Sequence, residues 1–334
     1  MTPPLRFGVA YDFRNPAHGP LTTRELYARI LEQVRLVDGW GYDQVWFTEH
    51  HFVADGYLPS VVAAAGAVAG TTERVRISTD IALLPFYHPL RLAEDLAVLD
   101  NISGGRIELG VGMGYAPHEF AAFGHPVSHR VSLTEEGLAL LRLAWGDEEF
   151  SFDGKRWRFD RIGVYPKPVQ PGGPPLWIAA MSEAGAHRAA RFDTHLLPQG
   201  TRGEVLDPWR DDLRASGRDP AEYRVGIIRS WLLTDDPERD WAPIRDAERY
   251  RMALYADFFA QSDDRYTAFG REHQPIPQTW IVGDAEAVAG ELASFVDEYG
   301  ITDVCCWGVP PGVDPDRMNE NLERFAMEVM PRFR

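Results

Sequence analysis

From Leu5 to Val329, short apolar runs rich in β-branched and aromatic residues alternate with stretches in which apolar residues recur every three or four positions. Such alternation marks repeated strand and helix units, which assemble around a parallel sheet. Leu5 to Tyr11 reads as the first strand, and the capping box Thr22-Thr-Arg-Glu25 opens a helix with Leu26, Ile30 and Val34 on one face. Gln44 to Phe47 is the second strand, followed by a small-residue helix over Pro59 to Ala69. Val75 to Leu84 is a long strand interrupted only at Thr79-Asp80 and stopped by Pro85; the helix starting at Pro89 ends at Ser103-Gly-Gly105. Ile107 to Val111 is the fourth strand. A short helix over Pro117 to Phe123 follows, and a second capping box, Ser132-Leu-Thr-Glu135, opens a helix reaching Trp145.

Phe150 to Phe159, with Asp153-Gly154 at its centre, reads as a β-hairpin outside the repeat, and prolines 166, 168, 171, 174 and 175 hold an extended connector. Leu176 to Ala180, Thr194 to Leu197, Val225 to Leu233 and Val304 to Trp307 supply strands five to eight; helices over Asp207 to Ser216 and from Asp284 to Tyr299 separate them, and an amphipathic helix with Met318, Leu322, Phe325 and Val329 closes the chain. Eight units over the whole length predict an α/β chain folded as a closed (β/α)8 barrel with insertions, one domain spanning residues 1–334. Residues 235–278 are too long for a simple connection and rich in aromatics, which predicts a lid. Its helical stretch from Trp241 to Gln261 places Met252, Tyr255 and Phe259 on one side, with packing against a helix or a partner as the competing reading.

Fifty acidic residues against 34 basic give a formal charge of -16, which repels nucleic acid and anionic membrane. No apolar run is long enough to span a bilayer, and Met1-Thr-Pro-Pro-Leu-Arg lacks the regions of a signal peptide, so a soluble, cytoplasmic protein is expected. The two cysteines, Cys305 and Cys306, are adjacent on a strand and point to opposite faces, which argues against a disulfide between them and against a metal cluster.

The second strand ends abruptly in Glu49, His50 and His51. In a parallel barrel the carboxyl ends of all strands converge on one face, so these residues are expected on an active-site rim. Several further motifs recur in order: Trp46-Phe-Thr-Glu-His-His-Phe52; Leu84-Pro85, then His88-Pro-Leu-Arg-Leu-Ala-Glu94; Ser103-Gly-Gly-Arg106 running into Gly110-Val-Gly-Met-Gly114; Pro166-Lys-Pro-Val-Gln170; and Ile178-Ala-Ala-Met-Ser182. With these residues the chain resembles the bacterial luciferase-like flavin monooxygenase family over nearly its full length. The resemblance implies a TIM barrel, reduced FMN as cosubstrate, O2 activation through a flavin C4a-peroxide, and a homodimer.

The resemblance also implies roles. His50 matches a histidine that faces the flavin, and imidazole exchanges protons near neutral pH; a hydrogen-bonded structural histidine is the competing reading. His51 is a second candidate, and Glu49 orients its neighbours. Asp80-Ile81 sits where the family carries a non-prolyl cis peptide under the isoalloxazine, although a small residue is usual in place of Asp80; a polar barrel-layer residue is the alternative. Gly112, Met113 and Gly114 lie at the cofactor, with Met113 standing where some members place an arginine for the flavin phosphate. Met181, Ser182 and Glu183 open a helix after strand five, where unpaired amides and the dipole favour an anion; ordinary capping by Ser182 competes. Glu119 and Arg130 match recurring charged positions, which solvated charge explains nearly as well.

The glycine run lacks the full dinucleotide fingerprint, so a flavin reductase acting in trans is expected to supply reduced FMN. Aromatics in the insertion favour an apolar or conjugated organic substrate. Two alternatives stay open: hydride transfer with the deazaflavin F420, used by relatives in the same superfamily, and a catalytically silent flavin-binding protein. A metal-dependent hydrolase would want His-x-His at strand one, where this chain has Tyr11-Asp12.

Overall fold

Glycines in the left-handed conformation, Gly41, Gly104 and Gly300, stop the helices that precede three of the barrel strands. The computed structural model describes residues 3–199, 203–261 and 280–334. Strand β1 (Arg6–Tyr11) is followed by α1 (Thr23–Trp40), whose start is fixed by the Thr22–Glu25 capping box and whose end is fixed by Gly41 at φ 88°, a left-handed conformation that glycine adopts without a Cβ clash. The chain continues through β2 (Gln44–Phe47), α2 (Val61–Ala69), β3 (Arg76–Thr79), β4 (Ala82–Leu83), α3 (Pro89–Ser103) and β5 (Leu109–Gly112). Then come α4 (Pro117–Ala122), α5 (Arg130–Trp145), the antiparallel hairpin β6 (Phe150–Asp153) and β7 (Arg158–Ile162), β8 (Leu176–Ala180), α6 (Glu183–Arg191) and β9 (His195–Pro198). The final part holds α7 (Gly203–Ala215), β10 (Gly226–Ile228), β11 (Ser230–Leu233), α8 (Pro237–Gln261), β12 (Trp280–Gly283), α9 (Ala285–Tyr299), β13 (Asp303–Trp307) and α10 (Pro315–Arg324).

Two parallel arcs, β10-β13-β1-β2-β3 and β4-β5-β8-β9, make the barrel wall. Parallel bridges at Ile77–Ile107 and Leu196–Val225 join them at both seams. The wall strands are buried on both faces, and the inner sides of the helices, such as Leu26, Ile30, Val34 and Val37 of α1, complete the core. The fold is thus the TIM-barrel type with insertions. Among the described residues, no helix is long and apolar enough to cross a membrane.

Three local expectations change. Val75 to Leu84 is not one strand: β3 stops at Thr79, the Asp80–Ile81 peptide bond is cis, and β4 resumes at Ala82. The second capping box does not cap. A 3-10 turn at Val127–His129 leads straight into α5 at Arg130, so the helix is already formed one turn earlier; Ser132 Oγ donates back to the His129 carbonyl and Glu135 pairs with Arg188 instead. Val225 to Leu233 divides between two sheets: β10 stays in the barrel, whereas β11 leaves to pair with β12, a strand that sequence pattern alone does not announce.

The amino ends of the strands are tied by charge. Arg6 and Arg76 both bind the buried Glu108 carboxylate, Trp177 Nε1 donates to it at 2.8 Å, and Arg6 and Arg224 bind Asp303. This network closes the barrel floor, at the end opposite the His50 face.

Candidate active site

Beyond Phe47 the chain leaves the barrel wall at its carboxyl rim, and Thr48, Glu49 and His50 remain buried there. Glu49 has three hydrogen-bond partners: the Leu83 amide at 2.9 Å, the Tyr87 hydroxyl at 2.8 Å and the His51 ring at 2.8 Å. It therefore ties the strand-two exit to the end of β4 at Leu83 and to Tyr87, and holds the His51 ring.

His50 is held differently. Its Nδ1 lies 3.0 Å from Glu119 Oε1, and that oxygen also accepts the His51 amide at 2.7 Å. An oxygen placed as an acceptor makes Nδ1 the donor, which leaves the lone pair on Nε2. Nε2 points toward the Tyr115 hydroxyl at 3.4 Å. Around the imidazole stand the rings of Tyr57 and Phe258, both at 4.9 Å, Tyr115 at 5.7 Å and Tyr255 at 6.0 Å. Burial pushes the Tyr57 and Tyr115 hydroxyls well above the ordinary phenol range, so both act as neutral hydrogen-bonding groups.

Glu119 is the residue that sequence reasoning undervalued. Solvated charge explains it nearly as well from sequence, yet it is fully buried on α4. A signal was present: Pro117 starts a helix directly after the glycine-rich end of β5, so its third position returns to the rim. Arg130, matched with it in the sequence, begins α5.

Asp80 follows β3 on the same rim. Its carboxyl meets Gln199 Nε2 at 3.5 Å, and burial pushes it up to about 7. Gln199 also donates its amide to the Ala180 carbonyl, linking the ends of β8 and β9 to Asp80. The side chain of Ile81 lies on Gly112, where a Cβ would stand 1.9 Å from Ile81 Cδ1; a Cβ on Gly110 would stand 2.0 Å from the Thr79 carbonyl oxygen. These two glycines permit close strand approach. Gly114 turns the chain out of β5 at φ 68°, and Met113 between them is half-buried and brings no cation.

At the end of β8, half-buried Met181 leads to exposed Ser182 and Glu183. Ser182 is the N-terminal flanking residue of α6 but makes no side-chain cap; the first helical hydrogen bonds run from the Gly185 and Ala186 amides to the Ser182 carbonyl. The Ser182 hydroxyl and the earlier amides are therefore open to an anion. Glu183 turns toward His187 at 3.5 Å.

α8 crosses the rim. Phe258 contacts the His50 ring, Phe259 stacks on Tyr115 at 4.5 Å, and Tyr255 OH lies 2.9 Å from Tyr57 OH. The expected stripe is corrected at one position, since Met252 is 38% exposed and the buried face runs through Ile244, Ala247, Glu248, Arg251, Phe258 and Phe259. The remainder of the predicted insertion, residues 262–278, lies outside the described residues. Among the described residues no cluster of His, Cys, Asp or Glu is placed to hold a metal ion.

Residues 5–303 match the sequence profile of the luciferase-like monooxygenases. The chain is 29% identical over 212 residues to protein y4vJ of Sinorhizobium fredii, covering 62% of this chain and 60% of that one. Over more of the length it is 23% identical to the oxygenase component of a flavin-dependent trigonelline monooxygenase of Acinetobacter baylyi (93% and 91% covered) and 26% identical to an F420-dependent glucose-6-phosphate dehydrogenase of Amycolatopsis mediterranei (98% of each). Among solved structures, monooxygenase RslO1 of Streptomyces bottropensis superposes with a TM-score of 0.87 at 25% identity, covering 98% of this chain and 100% of that one. A barrel whose rim carries the Glu49-His50-His51 run, matched by profile along nearly its whole length, belongs to the luciferase-like monooxygenase family.

Proposed function

We propose that this chain is the oxygenase component of a two-component system, using reduced FMN and O2 to oxygenate an apolar or conjugated organic substrate, with a separate reductase regenerating the flavin. The observation that carries the reading is the buried Glu119–His50 pair, which presents a tautomer-fixed Nε2 to a space walled by Tyr57, Tyr115, Tyr255 and Phe258. The trigonelline monooxygenase relative is likewise an oxygenase component, which supports the reductase in trans.

The residues fit a flavin mononucleotide. The uncapped Ser182 hydroxyl and first-turn amides of α6 would take the phosphate, replacing the arginine that Met113 lacks, and the Asp80–Ile81 step packed on Gly112 would lie beneath the ring. Reduced FMN, when bound, supplies the electrons for O2 activation. His50 Nε2 takes up and returns a proton beside the reacting centre, Glu119 holds the tautomer, and the aromatic residues of α8 exclude water. A soluble, cytoplasmic homodimer completes the proposal.

Hydride transfer with F420 is the second reading, favoured by the full-length match to the Amycolatopsis dehydrogenase. Anaerobic titration with reduced FMN and with reduced F420, followed by exposure to isotopically labelled O2 and mass analysis of product, separates the two. Tight FMN binding and one labelled oxygen in the product are expected; F420-dependent reduction without label would overturn the proposal.

A further inference from the structure

The oxygenase reading leaves one donor of a buried guanidinium on α8 unused. Arg251 is 0% exposed; its Nε donates to Asp12 Oδ2 at 3.2 Å, its Nη1 to Glu248, and its guanidinium carbon lies 3.7 Å over the Trp307 ring. Nη2 has no acceptor among the described residues. Buried donors are nearly always paired, so an unpaired one beside a reaction site marks where a bound molecule is missing. Because Asp12 and Glu248 already match the charge of Arg251, what is missing there is an acceptor rather than an anion.

The neighbouring tyrosines are arranged to match. Tyr57 OH donates to Thr48 Oγ1 at 2.8 Å, and with its only proton used there it accepts from Tyr255 OH at 2.9 Å. The oxygen of Tyr255 keeps a free lone pair. A second buried guanidinium, Arg14, lies 5.5 Å from the Tyr57 ring and holds Asp55 at 2.8 Å, and its Nη1 is likewise without an acceptor among the described residues. Tyr255 and Phe258 both face the His50 ring, so this polar corner is one side chain away from the proposed acid-base group.

Building on the oxygenase reading, we propose that this corner binds the oxygen function of a planar aromatic substrate, a phenolic hydroxyl or conjugated carbonyl that accepts from Arg251 Nη2. A hydroxyl there also donates to Tyr255, and the substrate ring packs on Phe258 and Tyr115. The polar corner thereby discriminates against hydrocarbons and acyclic chains of similar hydrophobicity, because an unmatched substrate leaves the guanidinium unsatisfied.

The test is equilibrium binding of 1-naphthol, naphthalene and 1-naphthoate to the intact protein, read by tryptophan fluorescence, with FMN affinity measured in parallel. Binding of 1-naphthol about tenfold tighter than naphthalene is expected. Tyr255→Phe and Arg251→Lys, the latter keeping the charge opposite Asp12 and Glu248, should each erase that difference while leaving naphthalene and FMN binding unchanged. Equal affinity of the wild type for 1-naphthol and naphthalene would overturn the proposal. So would tighter binding of 1-naphthoate, which would indicate an anion site, or loss of FMN binding in Arg251→Lys, which would assign the arginine to the cofactor. A wild type that selects 1-naphthol yet incorporates no oxygen into any product defeats the oxygenase reading and leaves the subsite standing.

Discussion

What one nitrogen of a histidine can do is set by what the other touches. With Nδ1 committed to Glu119, His50 has a single free acid-base position, whereas the His51 ring is tied to Glu49. His50→Ala should therefore lower turnover by roughly 100-fold or more with saturating reduced flavin, while circular dichroism and flavin affinity stay near wild type, because a positioned proton carrier is lost rather than core volume. His51→Ala should have the smaller effect; a reversed order would transfer the role. Asp80 provides a second residue-scale test. Burial raises its carboxyl from 3.8 to about 7, so the neutral form is the one the fold favours. Its contribution to stability is complete below the unfolded value and is lost as pH rises through about 7. Asp80→Asn, which cannot ionise, should raise the melting temperature at pH 8 relative to wild type and change it little at pH 4, as measured by calorimetry at both values.

At the scale of elements, α8 decides whether the rim is open or covered. Its C-terminal rings, Phe258 and Phe259, are buried against His50 and Tyr115 yet stand apart from the contiguous barrel core. Replacing both with Ala should thus leave the melting temperature nearly unchanged while increasing the fraction of reduced flavin consumed as hydrogen peroxide, through easier access of water to the site. A peroxide assay and a thermal melt on the same preparation check both halves. A large fall in melting temperature with unchanged coupling would make the segment a packing element. The anchor for this helix is the ionic cluster of Arg251, Asp12 and Glu248, which joins it to the end of β1.

For the whole molecule, the charged floor sets the acid limit. Burial works against the Glu108 charge, but Arg6 and Arg76 overcome it and hold the carboxyl down at about 2, so its contribution is present above 4.5 and lost as pH falls toward 2. Burial, aided by Arg6 and Arg224, lowers His195 from 6.5 to about 4; its neutral form is favoured, and stability is lost as pH falls through that interval. Asp80 moves stability the other way between pH 7 and 4, so the His195 contribution is read as a difference: the melting temperature of His195→Gln minus that of the wild type should rise as pH falls from 6.5 to 4, and both proteins should lose stability steeply below 4.5. A difference independent of pH between 6.5 and 4 would contradict this account.

Local signals determined most of the elements: the Thr22–Glu25 box, Gly41 and Gly300 set helix limits through interactions within a few residues, and the strand-two motif placed Glu49, His50 and His51 on the rim. Sequence patterning could not reveal that β11 leaves the barrel for β12, because strand periodicity reports burial and not partner identity. Nor could it separate Glu119, which is buried 69 positions from His50 in sequence, from a solvated carboxylate, or show that Arg251 of α8 reaches Asp12 across 239 positions. Charged side chains carry the same letter in water and in a closed rim. Only the tertiary structure, by bringing distant segments together and removing solvent, decided which of them became an acid-base pair, an anchor or an unfilled donor.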